Sequence, residues 1–266
     1  MVIQSSVVKA TARATWENNK MLSFAVGLAL LFSGLTVYMF FQLIAMFLPL
    51  YVAISLFSIL LFFWLLPFTL GVLRVIWQQM LQSHSHFTDI FYYFSGIQLY
   101  KKTIEFLFFL IIRVVGIVFV CILPAMAVNI VSSEWIHTTF EWEMPLWISN
   151  LSVISSILYF LGGIVSLSFV IRFYVSLFLF VADDDMDALE AIHLSTVISK
   201  DSLWELFVLV LSFIGWFIIG IFVFPLFYVI PYFATSFMVH CRFVVAGYNK
   251  RIEIIKKYSS VEMNYR

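Results

Sequence analysis

The sequence predicts an all-α, polytopic membrane helix bundle with six transmembrane helices and two cytoplasmic interfacial helices. Three observations carry that prediction. Hydrophobic residues make up 63% of the 266 residues and charged residues only 11%, far from the balance of a soluble globular domain. The apolar residues gather in continuous stretches, and a helix of about 20 such residues crosses a hydrocarbon core. Every lysine and arginine except Arg113 falls in alternate connections between those stretches, the positive-inside pattern of a chain threaded repeatedly through a membrane. Continuous rather than alternating apolar runs exclude a membrane β-barrel.

The whole chain, 1–266, reads as one transmembrane domain. Residues 1–21 are mixed polar, carry Lys9, Arg13 and Lys20, and are expected in the cytoplasm. The apolar run behind them is too long for a signal-peptide core and lacks a small-residue cleavage pattern, so it is expected to stay in the protein. The run 21–73 has double crossing length with Pro49 near its centre, where a turn fits best. Span one is placed at 22–46 and span two at 50–74, with Arg74 at its inner end. Span three follows Lys101 and Lys102, at 103–128. Span four starts near Trp147, reaches Arg172, and stays apolar to Ala182. The run 203–245 is again double, with Pro225 and Pro231 marking its break. Spans five and six are placed at 203–224 and 228–247, closing the bundle over 22–247 and leaving a basic tail at 248–266. An even count puts both termini on one side, and the charges make that side the cytoplasm.

The connections differ by side. The longest outer one carries Glu134, Glu141 and Glu143 among Trp135, Phe140, Trp142 and Trp147, as a segment lying in the interfacial aromatic belt would. The inner connections are helical in pattern. Asp183, Asp184, Asp185 and Asp187 precede Leu189, Ile192 and Thr196, with Met186 on the same stripe. That reads as an interfacial helix capped by aspartates. In 86–100, Phe87, Ile90, Phe91 and Phe94 form a similar stripe. A shift of 98 residues superposes Arg74 on Arg172, Asp89 on Asp187 and Lys102 on Lys200; a slightly longer one brings Glu105 to Glu205, Gly116 to Gly215 and Pro124 to Pro225. Gene duplication would produce such a parallel repeat, and so would chance.

Arg113 is the one basic residue deep within a span. It lies about 16 Å along the helix from Lys102, near the bilayer centre, where an unpaired arginine costs at least about 2.5 kcal/mol. It is expected to face protein or water and find a partner among Glu105, Glu205, Asp183 and Gln42. The aspartate cluster with Glu190 reads as helix capping and solvation, because the glycine and spacing of a calcium loop are absent. His84, His86 and Asp89 share no single helix or strand face, so they read as loop residues rather than metal ligands. Ser152, Ser155, Ser156, Gly162, Gly163 and Ser166 make a small-residue stripe suited to close helix packing. Cys121 and Cys241 sit in apolar runs and fit no disulfide, zinc or redox pattern.

A run of residues in the C-terminal third carries a family likeness: Ala182-Asp183, Ala188, Ala191-Ile192, Ser195, Lys200, then Trp204-Glu205-Leu206-Phe207. It continues through Leu211-Ser212-Phe213-Ile214-Gly215-Trp216 to Pro231-Tyr232 and Thr235. On these residues the stretch 169–249 resembles the bacterial integral membrane family known as domain of unknown function 975. The likeness is looser over Trp16-Glu17-Asn18 and Asp89-Ile90-Phe91. The chain departs from the family's pattern at Asp184-Asp185, where Asn-Pro is usual, and at Lys200-Asp201, where Lys-Gly is usual. The resemblance implies a multi-span protein of the cytoplasmic membrane and brings no established activity.

Formal net charge is zero, so no basic field points to nucleic acid. No nucleophile elbow, phosphate-cradling glycine loop or zinc-protease motif occurs, and no cofactor is implied. The expectation is a non-enzymatic accessory or interaction component of the cytoplasmic membrane. Its expected partners are the lipid bilayer and another membrane protein or a second copy of the chain. The alternative is a small transporter or permease-like subunit with Arg113 in the translocation path. A lipid-directed enzyme would have to draw on Asp89, Asp183 and His193.

Overall fold

The computed structural model describes residues 4–83, 85–131, 151–219 and 226–264, and these are helical or connecting, with no strand among them. The chain is an all-α polytopic membrane helix bundle. Among the described residues, five helices are long and apolar enough to cross a membrane, and six if one bent pair counts as a span. The outer aromatic segment with its glutamates, His84 and Pro225 lie outside the described residues.

Helix α1 (Ser5–Asn18) ends where Asn19 leaves helical geometry, and α2 (Lys20–Phe47) follows at once. Pro49 turns the chain as expected: it stands in extended geometry just before α3 (Leu50–Leu60), and its carbonyl accepts the N–H groups of Val52 and Ala53. Residues Leu61–Leu65 then widen into a π-helical turn before α4 (Leu66–Met80). Pro67 explains the widening. It cannot donate to the Phe63 carbonyl and its ring crowds that position; the Tyr100 hydroxyl donates to Phe63 O instead, at 2.9 Å. The end of α4 is closed by Ser83 N–H on Gln78 O and Gln82 N–H on Gln79 O, with Gln82 left-handed at φ 55°. That is the six-to-one helix stop usually built on glycine.

The connection after α4, expected on the inner side, is a 3-10 helix, Phe87–Phe94, not the α-helical stripe expected. Three residues per turn align i with i+3, which brings Ile90 and Tyr93 inward together; Phe87, at the start of the element, and Phe91 are exposed. Asp89 caps this element by accepting the His86 N–H at 2.9 Å. Helix α5 (Ile97–Val131) then runs through Pro124. Span four is α6 (Leu151–Val170), a 3-10 turn at Ile171–Phe173 and α7 (Tyr174–Ala182).

Helix α8 (Ala188–Ile198) is the second expected inner helix, with its buried face displaced. Ala188, Ala191, Ile192, Ser195 and Ile198 are buried and Leu189 is exposed, so small residues take the packing side. Asp187 takes the N-cap position but makes no side-chain capping bond. The two inner connections are thus built differently. A 3-10 helix occupies one and an α-helix the other, and the superposed Asp89 and Asp187 hold different positions in them.

Within the described residues the fifth stretch is interrupted before the prolines are reached. Helix α9 (Leu203–Leu211) stops at Ser212-Phe213 and α10 (Ile214–Ile219) resumes, and α8 with its extension meets this stretch at 81°. Pro231, expected at the break between spans five and six, lies inside α11 (Leu226–Asn264). Lys9 of α1 reaches the broken end: its ammonium donates to Ser212 O at 3.2 Å and sits over the Phe213 ring. A cation there meets carbonyls the interrupted helix leaves unused.

Contacts gather into two compact units, residues 1–107 with 175–266, and 108–174. The first holds an aromatic centre in which Phe106 and Phe180 stack at 4.2 Å and Trp77 meets Phe178 edge-on at 5.1 Å. In the second, α5 and α6 touch backbone to backbone at Gly162, where a Cβ would come within 2.6 Å of Cys121 O. Of the small-residue stripe, Ser155, Gly162 and Ser166 are buried and serve close packing, whereas Ser156 and Gly163 are exposed.

A candidate polar site where three helix ends meet

Three cationic or acidic groups that look unrelated in the sequence converge. Arg74 stands in the last turns of α4, Lys102 near the start of α5, and Asp184 just beyond α7. The Arg74 guanidinium forks onto both Asp184 carboxylate oxygens at 2.5 and 2.8 Å. Lys102 Nζ donates to the backbone carbonyl of the same aspartate. The Tyr92 hydroxyl adds a longer contact to Asp184 Oδ2 at 3.4 Å, and the Tyr92 ring lies 3.6 Å beneath the guanidinium. A planar cation held by a bidentate carboxylate on one side and an aromatic face on another is a rigid joint.

Burial sharpens the electrostatics. The Arg74 side chain is 13% exposed and that of Asp184 is 49% exposed. The hydrogen bonds from Arg74 hold the Asp184 carboxyl below the usual aspartate range, against the opposing effect of its partial burial. Tyr93, the neighbour of Tyr92, is 3% exposed and stacks on Phe180 at 5.9 Å. Burial pushes its phenol upward, with Arg74 nearby pulling the other way. A small cavity lies between Tyr93, Leu99, Lys102, Thr103, Phe180 and Asp184.

The residues singled out from the sequence fare unequally. Asp184 is in the site, not as a helix cap but as the counter-ion of Arg74. Asp183 accepts the Asp185 N–H at 3.0 Å in a local turn, Asp185 and Asp187 are exposed, and Asp89 is a cap. Arg113 differs most from expectation. It is exposed on α5 and makes no hydrogen bond or ion pair among the described residues. At about 100° per residue it lies about 80° round the helix from Cys121 and about 120° from Ala125, the positions that pack or are buried within that unit. Glu105 is exposed and Gln42 is engaged by Tyr38 at 2.7 Å. Glu205 is half-buried in the first turn of α9.

The family-motif residues gather elsewhere, around the break between α9 and α10. Ser212 donates back to Leu209 O and offers its own carbonyl to Lys9. Tyr232 packs on Phe213 and its hydroxyl approaches Lys9 O at 3.4 Å. Trp216 meets Tyr228 and Trp204 stacks on Phe207. Pro231 leaves its carbonyl to Thr235 at 2.8 Å, Gly215 faces open space, and Ser195 is buried. The motif therefore marks a broken helix and what packs against it.

Sequence reasoning missed Tyr92 and Tyr93 as site residues and gave Arg74 and Lys102 only the role of span boundaries. No curated protein and no solved structure matches the chain. One family model does, over residues 6–246, a longer match than the C-terminal likeness suggests. The chain belongs to the family described as protein of unknown function DUF975.

Proposed function

We propose that this protein is a non-enzymatic accessory or interaction component of the cytoplasmic membrane, crossing it six times with both termini in the cytoplasm. Its partners on this reading are the bilayer and a second membrane protein or another copy of the chain. One observation carries the reading: Arg113, well inside a 35-residue apolar helix, is exposed, as are Gly116 and Val120 one and two turns further along the same face. An arginine turned to hydrocarbon costs at least about 2.5 kcal/mol, so this face is suited to a neighbour that brings polar groups to it. Transport would instead need Arg113 to line a polar path, and its exposed neighbours on α5 are apolar. In the other unit Arg74 and Asp184 are paired with each other.

A photo-crosslinking amino acid in place of Val120, two turns from Arg113 on the same exposed face, tests this in native membranes. The expected result is one discrete protein adduct, lost when Arg113→Leu is added while membrane levels persist. Lipid adducts alone would contradict the interaction role. Solute flux in proteoliposomes of the purified chain, abolished by Arg113→Ala, would favour the transporter reading instead.

A further inference from the structure

The polar site has more donors than its one acid can use. The Nε–H of Arg74 and the hydroxyl of Tyr93 are both buried and make no hydrogen bond of good geometry, although the two side chains lie close enough to interact. Buried donors left unpaired cost about 1–3 kcal/mol each, so native structures rarely leave two side by side. Tyr93 lines the cavity, and Arg74 lies beside Tyr93.

The donors and the acceptor are also held differently. Arg74 and Lys102 stand on long helices, and Tyr92 and Tyr93 on the capped 3-10 element. Asp184 sits in the non-helical segment between α7 and α8, and its side chain is half exposed. The acceptor is the least constrained member of the cluster. A carboxylate offers two oxygens in one plane. A phosphate group offers more oxygens in three dimensions, and arginine forks bind both.

We propose that Arg74, Lys102, Tyr92 and Tyr93 form a binding site for a phosphate-bearing anion, for which the Asp184 carboxylate is an internal stand-in. The ligand is either the phosphodiester of an anionic lipid headgroup or free phosphate. The anion takes the place of the carboxylate on the Arg74 fork and gives the Tyr93 hydroxyl and Arg74 Nε–H the acceptor they lack. Asp184 swings outward on its loop. This site is separate from the Arg113 face and stands without the interaction role.

The test uses the full chain, delipidated in an uncharged detergent, as wild type, Asp184→Asn and Asp184→Asn/Tyr93→Phe. In one arm each is titrated with phosphatidylglycerol or phosphatidylcholine and the retained lipid is counted by native mass spectrometry. In the other arm inorganic phosphate is titrated by calorimetry. Asp184→Asn is expected to bind one of the two phosphate probes about tenfold more tightly than wild type, and Tyr93→Phe to reverse most of the gain, each on the scale of one charge-assisted hydrogen bond. Phosphatidylcholine, whose headgroup carries its own cation, is expected to respond weakly. Tightening toward phosphatidylglycerol alone assigns the site to lipid; tightening toward inorganic phosphate assigns it to the free ion. Binding that ignores both Asp184 and Tyr93 in both arms overturns the proposal. Tyr93→Phe removes one oxygen from a buried ring, so a folded variant is expected even where Arg74→Gln fails.

Discussion

Replacing Gly71 with alanine should destabilise the protein by more than about 3 kcal/mol, above the usual range for overpacking. A Cβ at this position would stand 1.8 Å from the carbonyl oxygen of Ile90, 2.8 Å from its carbon and 3.4 Å from its Cα. All three atoms are backbone, so no rotamer change relieves the clash. Relief requires α4 and the 3-10 element Phe87–Phe94 to part, and Ile90 is fully buried between them. The parting would also carry Tyr92 away from Arg74. Thermal unfolding in detergent, followed by size-exclusion of the heated sample, should show a midpoint lowered by roughly 6–12 °C on the scale of a chain this size. Gly34→Ala is the control. It meets nothing within 4 Å and should unfold no lower than wild type and at most about 4 °C higher, since a helical alanine gains at most about 1 kcal/mol over glycine.

Asp184→Ala should have the second largest effect. Losing one partner of a buried pair costs about 3–5 kcal/mol when the other charge is stranded. Arg74 is nearly buried and would be stranded, but Asp184 is half exposed, so the expected loss is smaller, about 2 kcal/mol. The experiment belongs in zwitterionic lipid without phosphate. Arg74→Ala leaves a carboxylate that water can reach, and its cost comes mainly from the lost stacking on Tyr92. Acid supplies a second signature. The folded Asp184 carboxyl is held below its ordinary 3.8, chiefly by the hydrogen bonds from Arg74. A depressed folded value stabilises fully above the unfolded value and stops doing so as pH falls through the folded one. Wild type should therefore lose stability on acidification below about pH 4, by an increment that Asp184→Asn lacks.

The spans were legible because bilayer thickness and charge sidedness act on continuous stretches of sequence. Pro49 was legible because a proline between two spans has one evident use. Pro231 misled for the same reason, since a proline in the early turns of a helix reads like a proline at a break. The break at Ser212-Phe213 carries no proline; its sign is a polar carbonyl partner, Lys9, two hundred residues away in the chain. Tyr93 was hidden by period. An α-helical reading of 86–94 turns Phe87, Ile90, Phe91 and Phe94 inward, and a three-residue period turns Ile90 and Tyr93 inward instead.

The polar site was invisible because each of its members had a sufficient local explanation. Arg74 and Lys102 read as span boundaries, and Asp184 as one aspartate in a capping run. Their meeting is tertiary, across a separation of 110 residues for Arg74 and Asp184. Arg113 shows the converse. Its depth was legible from Lys102, yet which way it faces depends on where α5 finds its packing partners, which the sequence of α5 does not reveal.

Single cysteines at Asp185, Lys250 and Tyr51, each in a Cys121→Ser/Cys241→Ser background, test the sidedness on which the account rests. Asp185 and Tyr51 are exposed, one beside the polar site and the other at the α2–α3 turn. An impermeant maleimide added to intact cells should label position 51 and spare 185 and 250, which become reactive only when the membrane is opened. Labelling of 185 and 250 from opposite sides, or of 51 and 185 from the same side, would contradict a six-span chain whose Arg74–Asp184 joint faces the cytoplasm.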